Sequence, residues 1–540
     1  MRLAIVAALI LVILGLGLVI SRPNFDLDVT SSTNHILDWG YKTTIDSRLG
    51  EITGLSNGRT HAFLGIRYAL PPTGERRFLS AVAAGPWQGT YEATSFPNIA
   101  MQSKSSPLED TSSFQMSEDS LFLNVFTPSA EGANRPVLLW IHGGSFTGGS
   151  ANTYDGSVLA EQGDVVIVTI NYRLGLFGFL DLSEFDDEFS GSASNGIRDQ
   201  IFALEWVRDN IADYGGDPEN VTIFGESAGG SSVLSILSSP SADGIYHKAI
   251  VHSAPSVNQP PENFSQALAD HFDVELLDLP AALRNSTSEE LVAAQEAISF
   301  SNGGKIDGTV ITRSSNEAIL DSAAGGVPLI AGSNRDEGTL FSNLVPSPLY
   351  GLIGEAVAAN VVPGADAGKY LADLKEAYPD DTRTEHFERI WTELNRRAVI
   401  NSAVRASAAG PGGWLYRFDL PVQQGVSDDM GATHAAEIAF TFNAFAGGAP
   451  DSAFLYDRND PDVRRLALNW SNNIIQFAKT GNPNGAGLLQ WPEYTAESRE
   501  TLILDSVPRV EAFLDSADRK RWGDSETISS EFFHLSEISR

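Results

Sequence analysis

The chain has 540 residues, a formal net charge of −33, 42% hydrophobic residues and no cysteine. The apolar fraction excludes a disordered polar chain, and the acidic balance excludes nucleic acid as a partner, because such a surface repels phosphates. Without cysteine there is no disulfide, no thiolate nucleophile, and no Cys-ligated zinc or iron–sulfur site.

The chain opens with MRLAIVAALILVILGLGLVISRP, in which Arg2 precedes an uncharged run from Leu3 to Ile20. At ~1.5 Å per residue such a run spans about 27 Å, close to the hydrocarbon thickness of a bilayer. The small-x-small pattern of a cleavage site is poor after it, so residues 1–20 read as a signal anchor, with a cleaved export signal as the alternative. Arg2 on the N-terminal side sets the rest outside the cytoplasm, so the protein is expected to be extracytoplasmic: membrane-anchored, periplasmic or secreted. Residues 21–42 are polar and aperiodic, a linker. A globular body follows over 43–525 and a short tail over 526–540.

The body begins with TTIDSRLGEITGL, which alternates and turns like a hairpin. Unbroken apolar runs then recur: RPVLLWIHGG from Arg135, DVVIVTINYR from Asp164, NVTIFG from Asn220, YHKAIVHS from Tyr246, GVPLIAG from Gly326 and WLYRF from Trp414. Such runs suit strands buried on both faces of a parallel sheet. Between two of them, Ile197, Ile201, Leu204, Val207 and Ile211 keep a helical period that stops at Gly215-Gly216. Strand and helix in alternation predict an α/β fold with a large, mostly parallel central sheet and helices on both faces. The segments near 256–325 and 342–410 are more helical and read as excursions over the sheet that wall a site.

The chemistry centres on Gly225-Glu226-Ser227-Ala228-Gly229, a Gly-x-Ser-x-Gly motif between a predicted strand and a predicted helix. A chain that reverses so sharply holds the serine backbone in strain and pushes Oγ out beside the N–H groups of the following helix. A serine hydroxyl needs a base to act as a nucleophile. His434, in GATHAAEIAFTF, lies downstream among small neighbours, whereas His252 lies within a strand-like run. The acid that orients the base must fall between, and GSNRDEG offers Asp336 and Glu337 just past a buried strand; position alone does not choose between them. His142-Gly143-Gly144-Ser145 follows the first long strand as a glycine-rich loop that can bring N–H groups to an oxyanion.

Together these stretches resemble the type-B carboxylesterases of the carboxylesterase/cholinesterase family, with the α/β-hydrolase fold. FLGIRYALPPTGERRF, SEDSLFLNVFTP, WIHGGSF, NYRLGLFGFL, IRDQIFALEWVRDNIADYGGDPENVTIFGESAGG, GSNRDEGTLF, THAAEIAFTF and WSNNIIQFAKTGNPN carry the resemblance from about residue 43 to about 525. It implies Ser227 as nucleophile, Glu337 rather than Asp336 as the acid, and His434 as the base. It also implies an oxyanion hole from the N–H groups of Gly144, Ser145 and Ala228, with Ser145 standing where the family more often has Gly or Ala. No metal or organic cofactor is implied; the partner is a small-molecule ester. A catalytically silent binding protein on the same fold would be expected to lack the serine or the histidine, and both are here.

The family often joins two cysteines across a loop at the positions of Ala100 and Ser120, which leaves this loop to be held by packing alone. In cholinesterases the loop carries a Trp that stacks on choline; the matching residue here is Asp110. The only aromatic residue between Ala100 and Ser120 is Phe114. A quaternary ammonium needs an aromatic face within about 6 Å, and long-range steering by net charge is screened beyond about 8 Å. The expected substrates are therefore neutral esters of short to medium acyl chains.

Overall fold

A computed structural model describes residues 39–522 apart from 104–110, 133, 322–325, 362–366, 425–429, 448–450 and 515. The apolar run of residues 1–20, Asp110 and the tail lie outside the described residues. Among the described residues no helix is long and apolar enough to cross a membrane.

Among the described residues thirteen strands form one sheet. Its first margin is antiparallel: Tyr41–Ser47 pairs with Gly50–Ser56, that strand with His61–Arg67, then Phe122–Thr127, then Val166–Ile170. The hairpin expected at its start is present, turned at Arg48-Leu49. From Val166–Ile170 the order runs in parallel through Arg135–Ile141, Gly216–Glu226, Lys248–His252, Leu329–Asn334, Gly413–Phe418 and Glu500–Leu504. Arg509–Ala512 closes the far edge antiparallel. All six apolar runs of the sequence lie in this parallel region, and their lack of alternation has a direct cause. Val137, Leu139 and Ile141 enter the core on one face, while Leu138 and Trp140 enter the core on the other. Both faces are dry, so neither tolerates polar residues.

The helix Asn195–Asn210 buries Ile197, Ile201, Leu204 and Val207, and Gly215 stops the run in a left-handed conformation at φ 81°. The excursions are helical as expected, with Ser265–Phe272, Leu279–Asn285, Ser288–Ala297 and Ser315–Leu320 in the first. The second holds Gly338–Leu344, Tyr350–Val361, Ala367–Ala377 and the long helix Arg383–Ala409.

The loop between Ala100 and Ser120 is held by more than packing. Ile99 N–H donates to Gln115 O and Ser117 N–H to Ile99 O, both at 2.9 Å. Beside it the buried Arg77 donates to Glu118 at 2.8 and 2.5 Å and to the Leu283 and Ser286 carbonyls at 2.8 Å each. Ser288 Oγ completes the cluster on Glu118 at 2.6 Å. Arg77 thus satisfies carbonyls at the end of an excursion helix that have no partner in the helix itself, and ties that excursion to the loop.

Candidate active site

The strand Gly216–Glu226 ends at Ser227, and the helix Ala228–Leu237 begins at once. Ser227 takes φ 57° and ψ −120°, a conformation that costs an L-residue of order 1–3 kcal/mol. Two hydrogen bonds hold it there: its N–H donates to His252 O at 3.0 Å, and Ser231 N–H donates to Ser227 O at 2.9 Å. The flanking glycine is required by contact. A Cβ on Gly229 would lie 2.0 Å from the Ile141 carbonyl oxygen. The helix can start against the neighbouring strand only where no side chain stands between the two backbones.

The glycine-rich loop follows the same logic. Gly144 sits at φ 97°, and a Cβ there would meet Gly148 O at 2.3 Å. Ser145 and Phe146 continue in the left-handed region at φ 56° and 60°. Among the described residues the N–H groups of Gly144, Ser145 and Ala228 have no hydrogen-bond partner within the protein. His142 supports the loop from below: its Nδ1 is 2.9 Å from Gly143 O and its ring stacks on Tyr172 at 4.5 Å. Burial holds the His142 pKa down at about 4, so it stays neutral.

Glu337 and His434 meet in the core, 0% and 4% exposed. His434 Nδ1–H donates to Glu337 Oε2 at 2.5 Å, and Asn334 N–H donates to the other oxygen at 2.7 Å. Asp336 points elsewhere, accepting from Ala432 N–H at 2.8 Å and pairing with Arg335. His434 Nε2 makes no hydrogen bond, and none joins it to Ser227 Oγ; it faces Glu226 Oε1 at 3.1 Å. Burial pulls the His434 pKa down, but the charges of Glu226 and Glu337 and the Glu337 hydrogen bond outweigh it and raise it above the ordinary histidine value. The two carboxylates therefore stabilise the imidazolium that forms once the neutral ring has taken a proton.

Two carboxylates that the motif reading left without a role thus border the site. Glu226 was visible only as the x of Gly-x-Ser. Glu437 was visible only as an acid three residues past His434. Glu437 is fully buried and accepts from Asn334 Nδ2 at 2.6 Å. Burial, then the Glu337 charge, raises its pKa to about 7, against the pull of the Asn334 hydrogen bond. His252 is kept out of the site by its strand. It shares a 2.6 Å hydrogen bond with Tyr416, and burial lowers its pKa to about 3.

Apolar walls come from the excursions. Phe341 lies 5.3 Å from the His434 ring and stacks on Trp391 of the long helix at 4.0 Å. Gly303 of the first excursion stands against the ring of Phe146. Among the described residues no group of three or more His, Asp or Glu side chains is placed to hold a metal ion.

Residues 42–522 match the model of a family described as the carboxylesterase family. The chain is 35% identical to a para-nitrobenzyl esterase of Bacillus subtilis, over 88% of this chain and 98% of that protein. It is 33% identical to a medium-chain fatty acyl-CoA hydrolase precursor of Anas platyrhynchos, over 81% and 83%. Among solved structures, a Geobacillus stearothermophilus carboxylesterase superposes with a TM-score of 0.79 at 35% identity, over 89% of this chain and 100% of that one.

Proposed function

As the chain belongs to the carboxylesterase family and is a carboxylic-ester hydrolase, we propose that it works through an acyl-enzyme on Ser227, with His434 as base and Glu337 as the acid that orients it. The observation that carries this reading is the Glu337–His434 hydrogen bond in a dry core beside a strained serine turn. Ser227 Oγ attacks the ester carbonyl as His434 Nε2 takes its proton. The C=O electron pair moves to oxygen and is met by the N–H groups of Gly144, Ser145 and Ala228. Collapse expels the alcohol, which takes the proton from His434. Water, deprotonated by the same nitrogen, then attacks the acyl-enzyme and releases the acid. In the resting arrangement Nε2 faces Glu226, so the first step requires Nε2 and Ser227 Oγ to turn toward each other.

The substrates we propose are neutral esters of short to medium acyl chains. Phe341, Phe146 and Trp391 support this reading, as apolar surface for uncharged groups. We further propose that residues 1–20 hold or export the protein with its body outside the cytoplasm; mass spectrometry of the mature N-terminus tests this.

The mechanism is tested by an organophosphate probe followed by peptide mapping. The label is expected on Ser227 and nowhere else, and Ser227→Ala and His434→Ala are expected to lower ester turnover by several orders of magnitude with the fold intact. An unlabelled wild-type protein would mean that the serine is not activated. Substrate choice is tested by comparing butyrylcholine with its uncharged isostere. A choline preference above roughly tenfold, or ~1.4 kcal/mol, that survives high salt would overturn the neutral-ester reading.

A further inference from the structure

We propose that Asp336, the neighbour of the catalytic acid, is a positioning residue that fixes the separation of Glu337 from His434 by clamping their two loops together; this rests on the roles of Glu337 and His434 proposed above. Glu337 and His434 lie almost a hundred residues apart on different loops, and one side-chain hydrogen bond cannot by itself fix two loops in three dimensions. The clamp is a two-point contact, one bond between backbones and one from backbone to the Asp336 carboxylate. Asp336 N–H donates to Ala432 O at 3.0 Å, and Ala432 N–H donates back to Asp336 Oδ2 at 2.8 Å. These bonds join the residue before Glu337 to the residue two before His434.

The surroundings are shaped around that contact. Gly431 takes φ 60°, and a Cβ there would lie 2.1 Å from Asp336 Oδ2, so the carboxylate reaches Ala432 only because position 431 has no side chain. Thr339 Oγ1 ties the same two loops a second time. It lies 2.7 Å from Met430 O and 2.9 Å from Thr433 Oγ1. Arg335 pairs with Asp336 Oδ2 at 2.8 Å, keeping the carboxylate turned toward Ala432. Asp336 touches neither the imidazole nor the serine. Its effect passes through loop position, and a displacement of about 1 Å at reacting groups can cost about 100-fold in rate.

The test measures kcat per active site, counted by organophosphate titration, and KM separately. Asp336→Ala is expected to lower kcat about ten- to hundredfold with KM within about twofold. Asp336→Asn, whose Oδ1 can still accept from Ala432, is expected to restore kcat to within about threefold of wild type. Thr339→Val, which keeps the side-chain shape, is expected to give a smaller drop in kcat with KM unchanged, so the clamp is tested even if Asp336→Ala does not fold. Glu337→Gln is run beside them. If it is inactive while Asp336→Ala and Thr339→Val both keep wild-type kcat per titrated site, the clamp is wrong and the acid stands. If Asp336→Asn is as damaged as Asp336→Ala, the hydrogen-bond account is wrong. If Glu337→Gln is fully active, the reading of the acid itself falls.

Discussion

Glu226 and Glu337 stand on opposite edges of one imidazole ring, 3.1 Å from Nε2 and 2.5 Å from Nδ1 of His434. Each negative charge stabilises the imidazolium, and all three side chains are almost wholly buried, so water does little to screen them. Glu226→Gln removes one of the two charges and lowers the pKa of His434. The base is then free at lower pH, so the acid limb of the kcat/KM profile moves down, and the plateau falls because the transition state has lost a counter-charge. Profiles for p-nitrophenyl butyrate from about pH 5 to about pH 11, with the uncatalysed rate subtracted, check this. An acid limb that stays in place would show that Glu226 does not act on His434.

Glu437 makes a prediction about stability. Its folded pKa, about 7, lies above the ordinary glutamate value of 4.5, because burial and the Glu337 charge disfavour the carboxylate. A carboxyl raised on folding favours the folded state at low pH, and that contribution is lost as pH rises from the unfolded value through the folded one. Glu437→Gln, neutral at every pH, should therefore match wild type near pH 4 and gain on it up to about pH 8, by as much as about 3 kcal/mol. Urea midpoints at the two ends of that window check the sign. An advantage confined to low pH would contradict it.

Arg173 and Asp199 form a bidentate pair at 2.7 Å through Nε and Nη2, 3% and 0% exposed at the side chains. Arg173 N–H also donates to Asp199, and Arg173 Nη1 reaches Leu79 O at 2.7 Å. Asp199→Ala leaves a buried guanidinium uncompensated and is expected to destabilise by about 3–5 kcal/mol. Chemical denaturation checks it. A loss under about 1 kcal/mol would place the pair among contacts that water readily replaces.

Gly229→Ala tests the serine turn without touching a reacting group. The added methyl lands 2.0 Å from Ile141 O. Backbone must move, and the Ser227 turn moves with it. Turnover is expected to fall at least tenfold, with a thermal midpoint below that of wild type. Gly132→Ala, where nothing lies within 4 Å of the added atom and the backbone is not left-handed, is the control for a glycine away from the site.

The parts legible in the sequence were those whose signal is local. The six buried strands announced themselves because both faces of each meet apolar neighbours, and Ser227 announced itself because a strand-to-helix turn needs small residues at fixed offsets. Asp336 and Glu337 could not be told apart from the residues alone. Adjacent side chains diverge, and which of them meets a histidine depends on a loop almost a hundred residues away. Glu226 and Glu437 were silent for the same reason. The strands at Glu500–Leu504 and Arg509–Ala512 gave little signal, since the second is short and exposed at the sheet edge. The loop from Ala100 to Ser120 was expected to rest on packing; its backbone ties and the Arg77–Glu118 pair join segments far apart in the chain, which no local pattern reports.

The closure of that loop without sulfur has a consequence for how the protein can be made and handled. Ala100 and Ser120 stand where the family resemblance implies a crosslink in many members, and the chain has no cysteine with which to form one or to form a wrong one. Its folding therefore involves no oxidant, no disulfide isomerase and no slow reshuffling of mispaired bridges. Reducing and oxidising surroundings pose the same problem to this sequence, and thiol reagents in a buffer leave its stability where it was. What closes the loop instead is charge and backbone pairing, which respond to salt and pH rather than to redox potential.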